Sequence, residues 1–399
     1  MAAKGERKLR LGIIGLGRAF SLMRPAFRAA PEIALVAAAD PRPEAQARFA
    51  DEFGGNAYAS VEELLGDARV ETVYIASPHQ FHAAQAIAAA QAGKHVLVEK
   101  PMALSLAEAQ AMVAAARAAT VKLLVGHTHS FDAPINATRA IIESGEFGAV
   151  KLITALNFTD FLYRPRRAEE LDTSQGGGAI FNQALHQIDI VRLLARGLVE
   201  SVTAQTGNWD IARPTEGAYS AWLRFPGDVA ASITYSGYAH YDSDALLGWI
   251  DEGGKMKDPE SFVRTRRALP SGLTRDAEAE LRRRRSYGAA AEDTAPPPEP
   301  RWHEHFGFIV VSCERADLRP VPQGVIVDSD GKRVLRPLAA PRAPRLEVIA
   351  ELCDAIWNDR TPLHSGEWGQ ATLEAALAIL QSSRERREIR LNCQIPARV

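Results

Sequence analysis

The sequence is poor in cysteine and has no long apolar run. Only three cysteines, Cys313, Cys353 and Cys393, occur among 399 residues. Their number and spacing fit neither a disulfide framework nor a cysteine metal site. No stretch of about 18 or more apolar residues is present, and the charged first residues lead directly into a predicted strand. We therefore expect a protein of the reducing cytoplasm that has no membrane span.

An excess of charge is also lacking. The chain has 47 lysines and arginines against 49 aspartates and glutamates, which gives a formal net charge of -2. Such a balance provides no overall attraction to nucleic acid or to a membrane, so a small molecule is the expected partner. The length exceeds what one hydrophobic core usually supports, and we expect two domains.

Short β-rich runs alternate with alanine-rich stretches up to about residue 130. The predicted strands are residues 11–14, 33–39, 72–76, 95–98 and 122–125. Ser60 with Glu63, and Ser105 with Glu108, have the form of capping boxes and predict two helix starts. This alternation is typical of parallel βαβ units. It predicts an α/β fold in which residues 1–130 form a doubly wound Rossmann domain.

The pattern changes after residue 130. Strand-like segments dominate, with one strong helix pattern at 179–195, so residues 131–399 predict an α+β domain on an open, mostly antiparallel sheet. Residues 266–300 contain an arginine run and three consecutive prolines. This composition predicts a mobile insertion.

A glycine motif follows the first predicted strand. Gly15 and Gly17 would let backbone N-H groups approach a pyrophosphate, with Arg18 and Ala19 opening the next helix. Asp40 ends the second predicted strand, where its carboxylate would accept hydrogen bonds from the adenosine ribose. Together these residues predict a dinucleotide site.

Asp40 also favours NAD as the cofactor, because its charge would repel the 2'-phosphate of NADP. Arg42 lies two residues further on and could pair with that phosphate, so NADP stays open. Phe20 departs from the usual pattern, in which a small residue allows close packing of helix and strand.

Two further segments follow predicted strands at the edge where doubly wound sheets bind ligands. Ser77, Pro78, His79 and His82 follow strand 72–76, and we expect them to contact the cofactor. The alternative is an ordinary turn in which both histidines are solvated.

The second segment, Glu99-Lys100-Pro101, follows strand 95–98. Pro101 restricts the backbone of Lys100 and permits a cis bond. A lysine beside a nicotinamide can polarise a substrate oxygen or take its proton. A surface lysine paired with Glu99 is the alternative.

The helix pattern at 179–195 follows three glycines and contains Asn182, His186 and Asp189. Their spacing of i, i+4 and i+7 predicts one shared face. His186 could accept a proton from an alcohol, with Asn182 or Asp189 setting its tautomer. A hydrogen-bonded core histidine is the alternative.

Two His-x-His groups, at 127–129 and 303–305, have the alternation of a metal-binding strand. Neither has a third ligand at the usual spacing, so we expect no metal. His129 is instead expected to line the substrate pocket.

Tyr163, Arg164, Arg166 and Arg167 form a dense group of donors. Guanidinium groups suit carboxylates, so this cluster suggests an anionic substrate. Surface arginines that pair with the glutamates at 169 and 170 are the alternative.

These motifs resemble the glucose-fructose oxidoreductase and inositol dehydrogenase family, Gfo/Idh/MocA. Its hallmarks are the glycine fingerprint, Glu-Lys-Pro and a helix with Asp-x-x-x-His, matched here by Asn182 to His186. The resemblance implies oxidation of a secondary alcohol, with Lys100 and His186 acting on the proton, and a homodimer or homotetramer. Asn182 departs from the pattern. An amide cannot stabilise an imidazolium by charge, so either His186 is a weaker base or Lys100 has the larger role.

Within the family, residues 154–161, the arginine cluster and residues 312–315 resemble bacterial cis-dihydrodiol dehydrogenases of aromatic acids, such as those of phthalate or 4,5-dihydroxyphthalate. This resemblance implies NAD-dependent oxidation of a cis-dihydrodiol carboxylate to a dihydroxy aromatic, with Asn157 among the substrate-binding residues. The alternatives are a sugar or inositol dehydrogenase, an NAD-dependent glycosidase and a ligand sensor without turnover.

Overall fold

A computed structural model describes residues 7–268, 274–284, 286–289 and 301–398. The chain divides into two compact units. The first comprises Met1–His127, Glu280–Pro298 and Arg342–Gln370, and the second comprises Thr128–Ala279, Glu299–Pro341 and Ala371–Val399. The predicted division near residue 130 assigned everything downstream to the second domain, whereas two downstream segments pack with the first unit. Ser365, for example, bridges to Leu124 in the last strand of the first sheet.

The sheet of the first unit has six strands in the order β3-β2-β1-β4-β5-β6, and every pair is parallel. Its strands are β1 (Leu9–Ile14), β2 (Ile33–Ala39), β3 (Asn56–Tyr58), β4 (Thr72–Ile75), β5 (His95–Val98) and β6 (Leu123–Val125). This order confirms the predicted doubly wound Rossmann sheet. Because all strands run in one direction, their carboxyl ends, where the candidate cofactor residues lie, share one edge.

Helices of the first unit follow its strands. They are α1 (Arg18–Ala29), α2 (Pro43–Phe53), α3 (Val61–Leu65), α4 (His82–Gln91), α5 (Leu106–Ala118) and, later in the chain, α10 (Leu346–Trp357). Both predicted capping boxes are present, at Ser60 with Glu63 and at Ser105 with Glu108. In each box the hydroxyl accepts from the glutamate N-H while the carboxylate accepts from the serine N-H, so the helix starts are fixed locally.

The second unit is built on nine strands in the order β14-β13-β12-β11-β7-β10-β9-β8-β15. They are β7 (Val150–Phe158), β8 (Ser201–Gly207), β9 (Ala218–Phe225), β10 (Val229–Ser236), β11 (Phe308–Cys313), β12 (Asp317–Val321), β13 (Gly324–Ser329), β14 (Lys332–Pro337) and β15 (Ile389–Arg390). Only β7 and β10 pair in parallel among these described strands. The predicted open, mostly antiparallel sheet is confirmed.

The remaining α-helices are α6 (Ala133–Glu143), α7 (Leu185–Leu194), α8 (Ser261–Ala268), α9 (Arg275–Arg283) and α11 (Gly366–Glu385). A π-helical segment, Ile180–Ala184, directly precedes α7. Among the described residues, no helix combines the length and the apolar character needed to cross a membrane.

An aromatic cluster explains the unusual Phe20 of the glycine motif. The Phe20 ring packs edge-on against Tyr287, with centroids 4.9 Å apart, and also contacts Phe27, Phe49 and Phe53. Phe20 and Tyr287 are both fully buried. The large side chain at position 20 therefore forms part of the first unit's core.

Tyr287 lies within the stretch that was predicted to be a mobile insertion. Residues 269–273, 285 and 290–300 of that stretch lie outside the described residues. The described part differs from the prediction, because Tyr287 is buried and its hydroxyl donates to Glu52 at 2.9 Å. Tyr287 therefore packs in the core although the residues around it in the sequence are mostly polar, which is why the composition did not predict this contact.

We expect Tyr287→Ala to destabilise the first unit by about 3 kcal/mol, because truncating a buried aromatic leaves a cavity. Tyr287→Phe removes only the hydrogen bond to Glu52 and should cost about 1 kcal/mol. Denaturant unfolding followed by near-UV circular dichroism measures both. Tyr241→Ala is the matched control, since Tyr241 is 44% exposed. Parent-like stability of Tyr287→Ala would contradict the assignment.

Candidate active site

The glycine turn between β1 and α1 packs directly on the end of β4. Gly15 has a φ of +92°, and a Cβ placed there would lie 2.8 Å from the Ser77 backbone nitrogen. A Cβ on Gly17 would meet only the Ala76 carbonyl oxygen, at 3.8 Å. Gly15 is therefore required by the fold itself. Gly17 is half-buried at the N-cap of α1, and Arg18 and Ala19 begin the helix.

The Asp40 carboxylate closes this turn. One oxygen accepts from the Leu16 N-H at 2.8 Å, and the other accepts from the Arg42 Nε at 2.9 Å. Arg42 also donates to the Leu16 carbonyl at 2.7 Å and to the Tyr287 carbonyl at 3.2 Å. The guanidinium predicted as a possible phosphate ligand is thus held against the acid that favours NAD.

The segment after β4 is tied to the segment after β5 by His82. Its Nδ1 lies 2.8 Å from the Pro101 carbonyl oxygen and its Nε2 lies 2.9 Å from that of Ser77. Burial lowers the pKa of His82, although the two carbonyls partly oppose this. His82 is fully buried, so the alternative of a solvated histidine does not hold for it. His79 is half-buried, with its ring 5.7 Å from that of His82.

A buried tyrosine, Tyr74, forms a hydrogen bond with the Glu-Lys-Pro segment. The Tyr74 hydroxyl donates to the Glu99 carboxylate at 2.6 Å, and the Lys100 N-H donates to the same carboxylate at 3.3 Å. Burial and the charge of Glu99 raise the pKa of Tyr74, which keeps the phenol protonated as a donor. The peptide bond from Lys100 to Pro101 is cis. Glu99 therefore fixes the backbone that carries Lys100.

Chemically, this edge of the first unit fits a dinucleotide. The backbone at the half-buried Gly17 and the N-terminus of α1 suit a pyrophosphate, and Asp40 suits a ribose hydroxyl. Ser77, whose hydroxyl donates to Gln85 at 2.6 Å, and Pro78 lie on the same strand edge. Individual roles for these residues remain predictions.

In the second unit, the glycine turn at 176–178 and the π-helical segment replace the regular helix start that was predicted. Gly178 has a φ of +78°, and a Cβ there would lie 2.1 Å from the Glu216 carboxylate. The Asn182 amide donates to the carbonyls of Gly178 at 2.8 Å and Gly176 at 3.3 Å. The wider π turn changes the rotation between Asn182 and His186, so the spacing of four does not have its usual α-helical meaning.

His186 lies in an aromatic group with His129 and Phe306. The two imidazole centroids are 4.9 Å apart, and Phe306 lies 4.7 Å from His186 and 5.0 Å from His129. All three side chains are buried. The His129 Nδ1 lies 2.7 Å from the Asp132 carboxylate. The structure thus brings the predicted His129 and His186 together and adds Phe306 and Asp132.

The Asp189 side chain is held by three hydroxyl groups. Its carboxylate accepts from the hydroxyls of Thr128, at 2.6 Å, Ser130 and Thr372, at 2.6 Å. Thr372 in turn accepts from Arg192 at 2.6 Å. Burial lowers the pKa of Arg192 to about 10, against the opposing charge of Asp189. Asp189 therefore joins α7 to the start of the second unit and to α11.

Much of the predicted arginine cluster is engaged in internal contacts. The Arg166 guanidinium donates to the Phe161 carbonyl at 2.7 Å and lies 3.9 Å from the Phe161 ring. Arg167 pairs with Glu169 at 3.0 Å and Glu170 at 3.5 Å. For Arg167 this is the alternative weighed from the sequence.

The side chain of Arg164 is 35% exposed, about as much as that of Arg167 and more than that of the buried Arg166. It donates to Asp160 at 2.6 Å and lies 3.8 Å from Glu252. Burial acts against its charge, but Asp160 and Glu252 outweigh this and raise the pKa of the guanidinium. Tyr163 donates to Asp210 at 2.8 Å, and burial together with this bond raises its pKa to about 12.

Asn157 is fully buried, and its side chain bonds to Ser243 at 2.9 Å. The adjoining loop holds Lys257 against Asp242 and, at 2.9 Å, against Asp244. Burial raises the pKa of Asp244 to about 7 although Lys257 opposes it. The substrate-binding role given to Asn157 remains a prediction. Its described contacts are with this loop.

The second His-x-His group is divided between two backbone contacts. The His303 Nε2 lies 2.9 Å from the Ala339 carbonyl oxygen, and the His305 Nε2 lies 2.8 Å from that of Ile250. Each histidine therefore joins neighbouring segments of the second unit.

Comparison with known proteins identifies the class. Residues 9–127 match the model of an oxidoreductase family with an NAD-binding Rossmann fold, and residues 135–250 match the GFO/IDH/MocA C-terminal domain. Over 377 residues the chain is 46% identical to the 1-carboxy-3-chloro-3,4-dihydroxycyclohexa-1,5-diene dehydrogenase of Comamonas testosteroni. That match covers 94% of this chain and 95% of the relative.

Solved structures agree. The putative dehydrogenase of Bordetella bronchiseptica RB50 has a TM-score of 0.89 at 41% identity, covering 96% of this chain and 100% of that chain. The WlbA dehydrogenase of Bordetella pertussis, solved with NADH and UDP-GlcNAcA, has a TM-score of 0.68 at 23% identity, covering 97% and 99% of the two chains, and supports the fold alone.

The chain therefore belongs to the Gfo/Idh/MocA family of oxidoreductases. This confirms the predicted family, the predicted enzyme class and NAD as the predicted cofactor class.

Several residues of the site were missed from the sequence. Asp132 follows His129 by three positions, a spacing that brings side chains together in a helical turn, and this signal was available. Tyr74 and Phe306 lie in apolar surroundings without a motif, so no local signal marks them.

We expect alanine at the two glycines to have separate effects. Gly15→Ala should cost about 2 kcal/mol or more of stability, because the positive φ and the close Ser77 backbone both oppose a Cβ. Gly17→Ala should unfold like the parent yet bind NADH about tenfold more weakly, equivalent to about 1.4 kcal/mol. Thermal unfolding and calorimetric titration separate the two. Unchanged NADH affinity in Gly17→Ala would contradict the cofactor assignment.

Replacing Asp40 should change the choice of cofactor. Asp40→Ser removes the charge that repels a 2'-phosphate and releases Arg42, so the ratio of NADPH to NADH affinity should rise at least about tenfold. Fluorescence titration with both cofactors measures this ratio. Asp67→Ser is the matched control, because Asp67 pairs with Arg69 at the same spacing, at 2.7 Å. An equal change in both variants would show that the effect is not specific to Asp40.

Proposed function

We propose that this protein is an NAD-dependent dehydrogenase that oxidises a cis-dihydrodiol of an aromatic carboxylate to the dihydroxy aromatic compound. The observation that carries the proposal is the 46% identity, over nearly the full length of both chains, to a dehydrogenase of a carboxylated dihydroxycyclohexadiene. The presence of Lys100 after β5 and His186 in α7 supports a catalytic protein over a ligand sensor.

The acid-base groups of the proposed reaction are Lys100 and His186. When bound, NAD+ supplies the acceptor for the hydride that leaves the carbinol carbon. Lys100 stabilises the oxygen of that carbon, and His186 receives its hydroxyl proton. Loss of a proton from the neighbouring ring carbon and protonation of the new carbonyl oxygen then give the aromatic diol. The gain in aromaticity favours the forward direction.

The substrate carboxylate requires a cation. Arg166 is the weakest candidate of the three arginines, because it is buried and its guanidinium donates to the Phe161 carbonyl. We put Arg164 forward because it lies 3.8 Å from Glu252, which accepts from the amide of Asn157 at 3.5 Å. The pairing of Arg164 with Asp160 would fix the guanidinium before a ligand arrives, which reduces the ordering cost of binding. Tyr163, Asn157 and His129 are retained as proposed substrate-binding residues.

A sugar or inositol dehydrogenase of the same family is the second candidate. It is favoured by the engagement of Arg166 and Arg167 in internal pairs, which leaves fewer cations for a carboxylate. A homodimer or homotetramer acting in the cytoplasm completes the proposal.

The deciding assay follows NADH formation with an aromatic cis-dihydrodiol carboxylate, the matching neutral cis-dihydrodiol, inositols and aldoses. We expect the carboxylate to be turned over best. Lys100→Ala should lower kcat by about a hundredfold or more, because one acid-base group is worth roughly that factor. Preference for an inositol or aldose would transfer the proposal to the second candidate.

An arginine pair gives the matched test of carboxylate recognition. Arg164→Gln should raise the KM for the carboxylate about tenfold, with the neutral diol little changed, since one charge-assisted contact is worth about that much. Arg167→Gln, which removes an internally paired guanidinium, should leave both KM values near those of the parent. Equal effects of the two variants would exclude Arg164 as the anion contact.

A further inference from the structure

Asp132 forms a hydrogen bond with His129 that orients this imidazole to act as a base. The His129 Nδ1 lies 2.7 Å from the Asp132 carboxylate, and the two side chains are 6% and 4% exposed. An ionised carboxylate only accepts hydrogen bonds, so Nδ1 of a neutral His129 bears the proton and Nε2 carries the lone pair. Such a pair fixes the tautomer and stabilises the imidazolium form.

This pair lies directly beside His186. The imidazole centroids are 4.9 Å apart, and the Phe306 ring packs against both. Tyr235 lies parallel to Phe306 at 6.5 Å, so aromatic surface surrounds the two histidines. A charge formed on either imidazole in this environment needs a nearby counter-charge.

Position 182 does not supply that counter-charge. Asn182 is neutral, and its amide donates to the carbonyls of Gly176 and Gly178. Asp189, on the same helix as His186, receives hydroxyl donors from Thr128, Ser130 and Thr372. The carboxylate bonded to an imidazole of this group is Asp132, on the neighbouring His129.

We propose that His129, held by Asp132, is the final acceptor of the proton that His186 takes from the substrate hydroxyl. The inference rests on the proposed function. As hydride leaves the carbinol carbon for the nicotinamide, the O-H bond breaks, its electron pair forms the C=O bond, and the proton bonds to His186. The proton on His186 then passes to Nε2 of His129, and the Asp132 carboxylate balances the imidazolium. Asp132 is a positioning residue in this scheme.

Other ionisable groups around the turn are constant across the test below. They are Asp189 and His186 from α7, and His305 from the segment before β11. His127 is a further one, because it offers a ring nitrogen within 4.8 Å of the corresponding atoms of His129 and Asp132. Burial lowers the pKa of His305, while the Ile250 carbonyl and the charges of Glu252 and Asp132 partly oppose this. α6 contributes Arg139 and Glu143, which pair with each other at 2.6 Å.

The test removes the carboxylate that bonds to His129 and then adds a carboxylate at position 182, on the segment before His186. Asp132→Asn keeps the shape but removes the charge, so kcat/KM should fall about a hundredfold and the acid limb of its pH profile should move about one unit lower. Adding Asn182→Asp introduces a carboxylate about one turn before His186 in the chain. The double variant should recover at least about tenfold of the lost kcat/KM, with the acid limb returning towards its parental position.

Asn182→Asp alone and Asp328→Asn are the controls. The first measures the cost of losing the amide contacts with Gly176 and Gly178. The second removes a carboxylate that pairs with Arg333 at 2.6 Å in the β13–β14 hairpin and should behave like the parent. If Asp132→Asn keeps parental kcat/KM, or if its loss is not reversed by Asn182→Asp, Asp132 has a structural role only and the proposal fails.

Histidine titration provides a readout without substrate. NMR of histidine-labelled protein, with His129 assigned through His129→Asn, should show its midpoint about one pH unit lower in Asp132→Asn than in the parent. Equal midpoints overturn the proposal. A midpoint or kcat/KM that changes with added Zn²⁺ or with a chelator would assign the pair to an ion and also overturn it. If no alcohol is oxidised by the parent, the proposed function fails while this titration still decides the role of the pair.

Discussion

The candidate cofactor site of the first unit depends on the hydrogen bond from the Leu16 N-H to the Asp40 carboxylate. This bond joins the glycine turn to the end of β2, and the second carboxylate oxygen holds Arg42. The acid is buried, yet backbone and guanidinium donors compensate its charge. Asp40 therefore organises the turn before any ligand binds. We therefore expect the choice between NAD and NADP to depend on the folded glycine turn as well as on the charge of Asp40.

Much of the first unit could be predicted because its signals are local. Apolar runs of four to seven residues mark most of its strands, and the capping boxes at Ser60 and Ser105 fix helix starts within four residues. β3 was missed, since its three residues form no such run. Tyr287 was missed for another reason. Its contacts with Phe20 and Glu52 are made across more than half of the chain, and no local pattern records them.

The second half of the candidate site was predicted less completely. The spacing of Asn182 and His186 suggested one helical face, but Glu216 and the glycine turn favour a π turn at that point, with the Ile180 N-H donating to the Glu216 carboxylate at 3.1 Å. The arginine cluster suggested an anion site from composition alone. Glu278 and Asp210, which accept from the Arg166 backbone N-H and the Tyr163 hydroxyl, come from distant segments, and only the tertiary structure reveals these two contacts. The pairing of Arg167 with Glu169 and Glu170 was therefore predictable from the sequence, whereas the contacts with distant segments were not.

Residues 342–370 belong to the first unit although they are translated after most of the second unit. This order affects when the first unit can fold during synthesis. Val125 in β6 donates to the His364 carbonyl at 2.9 Å, so that strand lacks one neighbour until the ribosome has added more than 230 further residues. The edge of β6 therefore stays unpaired in the nascent chain while the residues between Val125 and His364 are translated. An unpaired edge is a template for association with other chains. Completion of the nucleotide-binding unit is thus one of the last events of chain synthesis, although its first strand is among the first segments made.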